Sequence, residues 1–141
     1  MNLPDYLGSL GACPEAREWA AGYSTLAEAW TACERADWLL WYSGRRGVDR
    51  KILVRAACAC ARTVLPYVPV GEDRPHRAIE MAERWCDGLA TLQEVSAAAA
   101  YSAAVDAYAA AYAAADADAR SKAHLEMCVL VRALISCPSE P

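Results

Sequence analysis

The chain has 141 residues, a hydrophobic fraction of 56% and a formal net charge of −4 at pH 7. This length favours a single domain that can bury a core without help from metals or disulfides. The acidic balance argues against a nucleic-acid-binding protein, and no apolar run is suited to span a membrane. The N-terminal residues Met-Asn-Leu-Pro-Asp lack the basic and apolar regions of a secretory signal. We therefore expect a cytoplasmic protein whose seven cysteines are reduced and mostly buried.

Helical periodicity and capping residues predict seven helices. Their approximate ranges are 14–21, 25–34, 38–42, 48–65, 75–87, 91–116 and 118–136. Pro14 and Pro75 suit the first turns of their helices, and Asp37 and Asp73 are N-cap candidates. The segment 66–74 is expected to be the one extended loop. No segment alternates with a period of two, so no strand is predicted.

Apolar residues at helical spacing predict which faces are buried. In the second predicted helix they are Leu26, Ala29, Trp30 and Cys33, and in the fourth they are Ile52, Leu53, Ala56, Cys60 and Val64. In the alanine-rich sixth helix they are Tyr101, Val105, Tyr108 and Tyr112. The last helix is apolar from residue 127 to 135 except for Arg132, so we expect it to be central.

One motif occurs twice. Residues 19–29 and 85–95 both fit Trp-x-x-Gly-x-x-Thr-Leu-x-Glu, at a separation of 66 residues. In each copy, a tryptophan in the last turn of a helix precedes a glycine suited to a left-handed C-cap, and a Thr…Glu capping box starts the next helix. We expect a compact all-α bundle of about seven helices. It forms one domain over residues 1–141, with similar halves of about 1–65 and 75–141.

The charge is distributed unevenly. Residues 45–62 contain six basic residues and one acidic residue, a balance of +5, so the rest of the chain carries −9. Trp38 and Trp41, just before this region, are expected in the core, whereas Tyr42 at the helix end is expected to be exposed. The predicted partner-binding residues are Tyr42, Arg45, Arg46, Arg50, Lys51 and Arg55, since Trp, Tyr and Arg dominate interface hot spots. Alternatively, the basic stripe pairs with acidic faces of neighbouring helices or binds phosphates.

Enzyme signatures are missing from the sequence. It contains no glycine-rich phosphate loop, no His-Glu-x-x-His and no nucleophile elbow. His76 is expected to be a solvated surface histidine. Cys58 and Cys60 are two residues apart, so on a helix their thiols point in nearly opposite directions and chelate a metal poorly. We expect no enzymatic activity, no metal and no cofactor.

Three stretches, 33–41, 56–61 and 72–88, occur in this order before the alanine-rich segment. Together they resemble the small helical immunity proteins encoded beside polymorphic toxin genes in bacteria, and also in phages and prophages. Asp-Trp-x-x-Trp and Arg-Pro-x-x-Ala-Ile-Glu are the most distinctive motifs, and the resemblance covers about residues 11–115. It implies an α-helical protein that binds a toxin and blocks it.

The leading functional hypothesis is therefore a cytoplasmic, non-enzymatic inhibitor that binds and neutralises another protein. An alternative is a phage-encoded inhibitor of a host defence complex, such as an anti-CRISPR. Two further alternatives are a self-assembling helical protein, such as a homodimer using the tyrosine–alanine face, and a weak nucleic-acid-binding module using the basic stripe.

Overall fold

The computed structural model describes residues 1–100 and 117–139, and every regular element in these ranges is helical. The eight α-helices in these ranges are α1 (Leu3–Ser9), α2 (Pro14–Ala20), α3 (Leu26–Ala32), α4 (Ala36–Arg45), α5 (Arg50–Arg62), α6 (Arg74–Cys86), α7 (Leu92–Ala100) and α8 (Ala117–Leu134). One turn of 3-10 helix, Leu65–Tyr67, begins the loop predicted between α5 and α6. The all-α prediction is confirmed. None of the described helices combines the length and apolar character needed to cross a bilayer.

Helix α1 was missing from the prediction. The Asn2 side chain caps it by accepting a hydrogen bond from the Asp5 backbone N–H at 2.8 Å, and Pro4 lies in its first turn. An asparagine followed by Pro and Asp within three residues is a helix-start signal that could have identified α1. The predicted seam of Tyr101, Val105, Tyr108 and Tyr112 lies outside the described residues, as does the rest of 101–116.

Both predicted capping boxes are present. The hydroxyl of Thr25 accepts from the Glu28 N–H at 3.2 Å, and that of Thr91 accepts from the Glu94 N–H at 3.1 Å. Each glutamate also accepts from the backbone N–H of its threonine. The repeat is less regular at its glycines. Gly88 adopts the left-handed conformation, with φ 75°. Gly22 does not have a positive φ, so its backbone conformation does not require glycine.

Two residues predicted to be N-caps do not cap their helices through their side chains. Helix α4 begins at Ala36 with Arg35 as its N-cap, so Asp37 lies in the first turn and binds the Arg35 guanidinium instead. Asp73 does occupy the N-cap position of α6, but its side chain makes no capping bond. The carboxylate of Glu72 accepts from the Arg74 N–H at 3.1 Å in its place.

The main core joins α1 to α5 with α8. All four residues of the predicted α3 face are buried, and Cys128 and Val131 of α8 and Ile135, just after it, are buried in the same core. Helix α8 packs against α4 and α5, which confirms its predicted central position. Helix α8 therefore completes the core formed by residues 1–65, although the sequence analysis assigned it to the second half, residues 75–141. Ile52, predicted to be buried on α5, is 41% exposed.

Helix α5 lies between α6 and α8. The Cys58 thiol donates to the Ile79 carbonyl in α6, whereas the Cys60 thiol donates to the Met127 carbonyl in α8. The two thiols therefore face different helices, as the two-residue spacing predicted. Helix α6 also packs against α7, which follows the second capping box at Thr91. The second helix–turn–helix unit therefore lies on the side of α5 opposite to α8.

Candidate protein-binding surface

The turn between α4 and α5 positions the predicted basic residues. Gly47 has φ 76°, which lets the chain reverse just after Arg46, and the Asp49 carboxylate then caps α5 through the Lys51 N–H at 2.8 Å. Arg45 ends α4 and Arg50 begins α5. The turn therefore gathers basic side chains from the C-terminal end of α4 and the N-terminal end of α5.

The basic stripe of α5 divides into a paired part and an unpaired part. Arg55 Nη2 donates to Asp87 Oδ1 at 2.6 Å. The Nε and Nη2 atoms of Arg62 donate to the two carboxylate oxygens of Glu83, each at 2.6 Å. The hydrogen bond from Arg62 lowers the pKa of the Glu83 carboxyl. These contacts correspond to the alternative in which the stripe pairs with acidic residues of a neighbouring helix, since Glu83 lies in α6 and Asp87 is its C-cap.

Arg45, Arg50 and Lys51 make no ion pair within the described ranges, and all three are exposed. The cationic groups of Arg45 and Lys51 instead lie 5.8 Å from the ring centres of Trp41 and Trp85. We call Arg45, Arg50 and Lys51 the basic end. Within the part of the chain that the structure describes, these three positive charges have no counter-charge in an ion pair.

Tyr42 was predicted to be an exposed contact residue, and the structure corrects this. Its side chain is 4% exposed, its hydroxyl lies 3.0 Å from that of Tyr6, and its ring packs edge-on against Trp30. Burial, followed by the Tyr6 hydrogen bond, raises its pKa well above the usual value. Tyr42 is therefore a core residue. Arg46 is half-buried and donates to the Ser139 carbonyl at 3.1 Å, which ties the C-terminal segment to the end of α4.

One flank of α4 carries two tryptophans with an arginine before and after them, a feature that the sequence reasoning missed. The Arg35 guanidinium lies 4.6 Å from the ring centre of Trp38, and Arg45 lies over Trp41. We call Arg35, Trp38, Trp41 and Arg45 the α4 ladder. Its two tryptophans, expected in the core, are half-buried and pack against the core from outside. The spacings i,i+3 and i,i+4 between arginine and tryptophan were the sequence signal for it.

The two ends of the ladder differ in charge. Arg35 makes two hydrogen bonds to Asp37, at 2.9 and 2.8 Å, and approaches Glu15 at 3.4 Å. The hydrogen bond from Arg35 lowers the pKa of Asp37. The Arg45 end, about 15 Å away along α4, has no such neutralising partner among the described residues. Trp19 from α2 adds its ring beside Trp38, with ring centres 5.6 Å apart.

Within residues 1–100 and 117–139, no group of three or more His, Cys, Asp or Glu side chains is arranged to hold a metal ion. His76 is 54% exposed, and its Nδ1 lies 4.0 Å from Glu80. What the basic end and the α4 ladder can provide is non-covalent recognition through cations and aromatic area.

The chain matches no protein-family model, no curated protein and no solved structure. The resemblance to immunity proteins therefore remains a hypothesis that rests on the motifs themselves.

Proposed function

We propose that this protein is a non-enzymatic inhibitor that binds another protein, in the manner of a toxin immunity protein. The observation that carries the proposal is the basic end. Among the described residues, Arg45, Arg50 and Lys51 are exposed and make no ion pair, and Arg45 and Lys51 lie next to the half-buried rings of Trp41 and Trp85.

These residues suit an acidic protein surface for two reasons. Uncompensated positive charge attracts a negative partner and raises the rate of association. An arginine held against a tryptophan ring also loses less conformational freedom on binding than a fully solvated arginine. Trp and Arg are the residue types that most often contribute large binding energies at protein interfaces.

A protein partner fits the charge distribution better than a nucleic acid does. Arg55 and Arg62 are already neutralised by carboxylates of α6. Among the described residues, three exposed cations of this surface, Arg45, Arg50 and Lys51, make no ion pair, whereas strong duplex binding commonly uses about six to ten phosphate contacts. The chain as a whole is also acidic, with a net charge of −4.

Co-expression tests the proposal. Each neighbouring gene is expressed alone and together with this chain, and both cell growth and co-purification are measured. The proposal expects one neighbour to arrest growth alone, and to be neutralised and co-purified when this chain is present. If no neighbour is neutralised and none co-purifies, the immunity-type inhibitor is rejected.

Charge reversal then assigns the surface. Arg45→Glu combined with Arg50→Glu should abolish protection while the far-ultraviolet circular dichroism spectrum stays unchanged. A double reversal of Arg77 and Arg84 on α6 is the matched control, because both residues are exposed and belong to neither the basic end nor the α4 ladder. If both double variants protect equally, the partner binds another face.

A further inference from the structure

A small apolar cavity lies directly beneath the α4 ladder. Its volume is about 60 Å³. The half-buried rings of Trp19, Trp38 and Trp41 line its outer side, and the buried residues Ala16 and Leu39 line its inner side. Because several of its lining residues are only half-buried, the cavity lies just below the surface.

We propose that this cavity receives an aliphatic side chain of a protein partner, of about valine or leucine size, next to a carboxylate that binds Arg45. The inference rests on the proposed function, since the side chain belongs to the bound protein. It adds the chemical class of the anchoring residue and the place where it inserts.

The size of the cavity selects the occupant. A single water needs about 15 Å³, and a cavity of about 150 Å³ can hold benzene. The volume of about 60 Å³ lies between these values, so the cavity suits a branched group of three or four carbons better than an aromatic ring. When an aliphatic group fills an apolar cavity, it gains dispersion contacts and buries apolar surface.

The position of Arg45 selects the neighbouring group. A Cβ at Gly11 would lie 3.7 Å from the Arg45 guanidinium, so Arg45 reaches the turn between α1 and α2. Ala12, in the same turn, lines the cavity together with Trp41. Arg45 is therefore close to residues that line the cavity, and because it makes no ion pair within the described residues it can bind a carboxylate adjoining the inserted side chain.

N-acetyl-leucine and its uncharged amide are suitable probes. Each is titrated into the ¹⁵N-labelled full chain, and the five tryptophan indole N–H resonances are followed after assignment by Trp→Phe variants. We expect saturable shifts for Trp19, Trp38 and Trp41, with little change for Trp85. The carboxylate probe should bind about threefold more tightly than the amide, and this preference should vanish in Arg45→Gln.

Two filled-cavity variants provide the decisive comparison. Ala16→Leu fills the inner side, and Ala12→Leu fills the half-buried rim should the first variant fold poorly. Either folded variant should lose the probe-induced shifts without becoming less resistant to urea. The inference is overturned if the probe-induced shifts do not saturate, if all five indole resonances shift equally, or if the filled variants still show the shifts. If a filled variant still neutralises the partner in the co-expression test, the cavity inference fails while the proposed function stands.

Discussion

Arg132 joins the last helix to the third, and its replacement tests how α8 is held in the core. Its Nε and Nη2 donate to the Trp30 carbonyl at 3.1 and 2.9 Å, and Nη2 also donates to the Cys33 carbonyl. Helix α3 ends at Ala32, and Cys33 has extended backbone angles. The last carbonyls of a helix lack intrahelical donors, so Arg132 supplies both donors and positive charge where the helix dipole is negative.

We expect Arg132→Met to lower the free energy of unfolding by about 3 kcal/mol, because two carbonyls lose charged hydrogen bonds each worth about 1.5–3 kcal/mol while the methionine keeps the apolar stem. Because Arg132 is half-buried, the expected loss of unfolding free energy lies near the lower end of the sum for the two hydrogen bonds. For a chain of this size, the melting temperature should fall by roughly 10 °C.

Urea denaturation followed by circular dichroism measures this loss. Arg132→Lys should fall between the wild type and Arg132→Met, since lysine keeps the charge but not the planar fork. Arg77→Met is the control. The Arg77 side chain is 73% exposed, and its ion pair with Asp73 is worth less than about 1 kcal/mol. A change at Arg132 no larger than that of the control would refute the proposed bridging role.

Three further outcomes follow from the structure. Gly88→Ala should cost about 1–2 kcal/mol because an alanine is strained at φ 75°, whereas Gly22→Ala should be nearly neutral in the same denaturation assay. At pH 8, iodoacetamide should modify exposed Cys13 rapidly and leave Cys58 unmodified by mass spectrometry, because burial raises the pKa of Cys58 to about 11; equal rates would contradict this. The lowered pKa of Asp37 means that its ionised form stabilises the fold above a pH of about 4, and that this contribution disappears as the pH falls through the folded-state pKa. Asp37→Asn should therefore reduce the acid sensitivity of stability, and an unchanged pH profile would contradict that expectation.

Local chemistry predicted the helices well because their start and burial signals are contained within short segments. The capping boxes at Thr25 and Thr91 and the buried face of α3 need only neighbours a few residues away. The central position of α8 could also be predicted, since residues 127–135 are apolar except for Arg132.

The surface was less predictable because tertiary contacts determine which polar groups remain free. Arg55 could not be assigned from sequence, since its partner Asp87 lies 32 residues away on another helix. Tyr42 is directed inward by Tyr6 of α1, a helix that was not predicted. Trp38 is only half-buried, which adds aromatic area to a surface where the sequence indicated charge alone.

The association rate constant of the recovered partner is the measurement that tests the central claim most directly. It is measured by stopped-flow fluorescence at low and physiological salt for the wild type, for Arg45→Glu with Arg50→Glu, and for Arg77→Glu with Arg84→Glu. The account predicts at least about tenfold slower association for the first double variant, a weaker salt dependence, and a near-normal rate for the second. Equal slowing in both double variants would mean that only net charge matters, and would contradict a binding surface at the basic end.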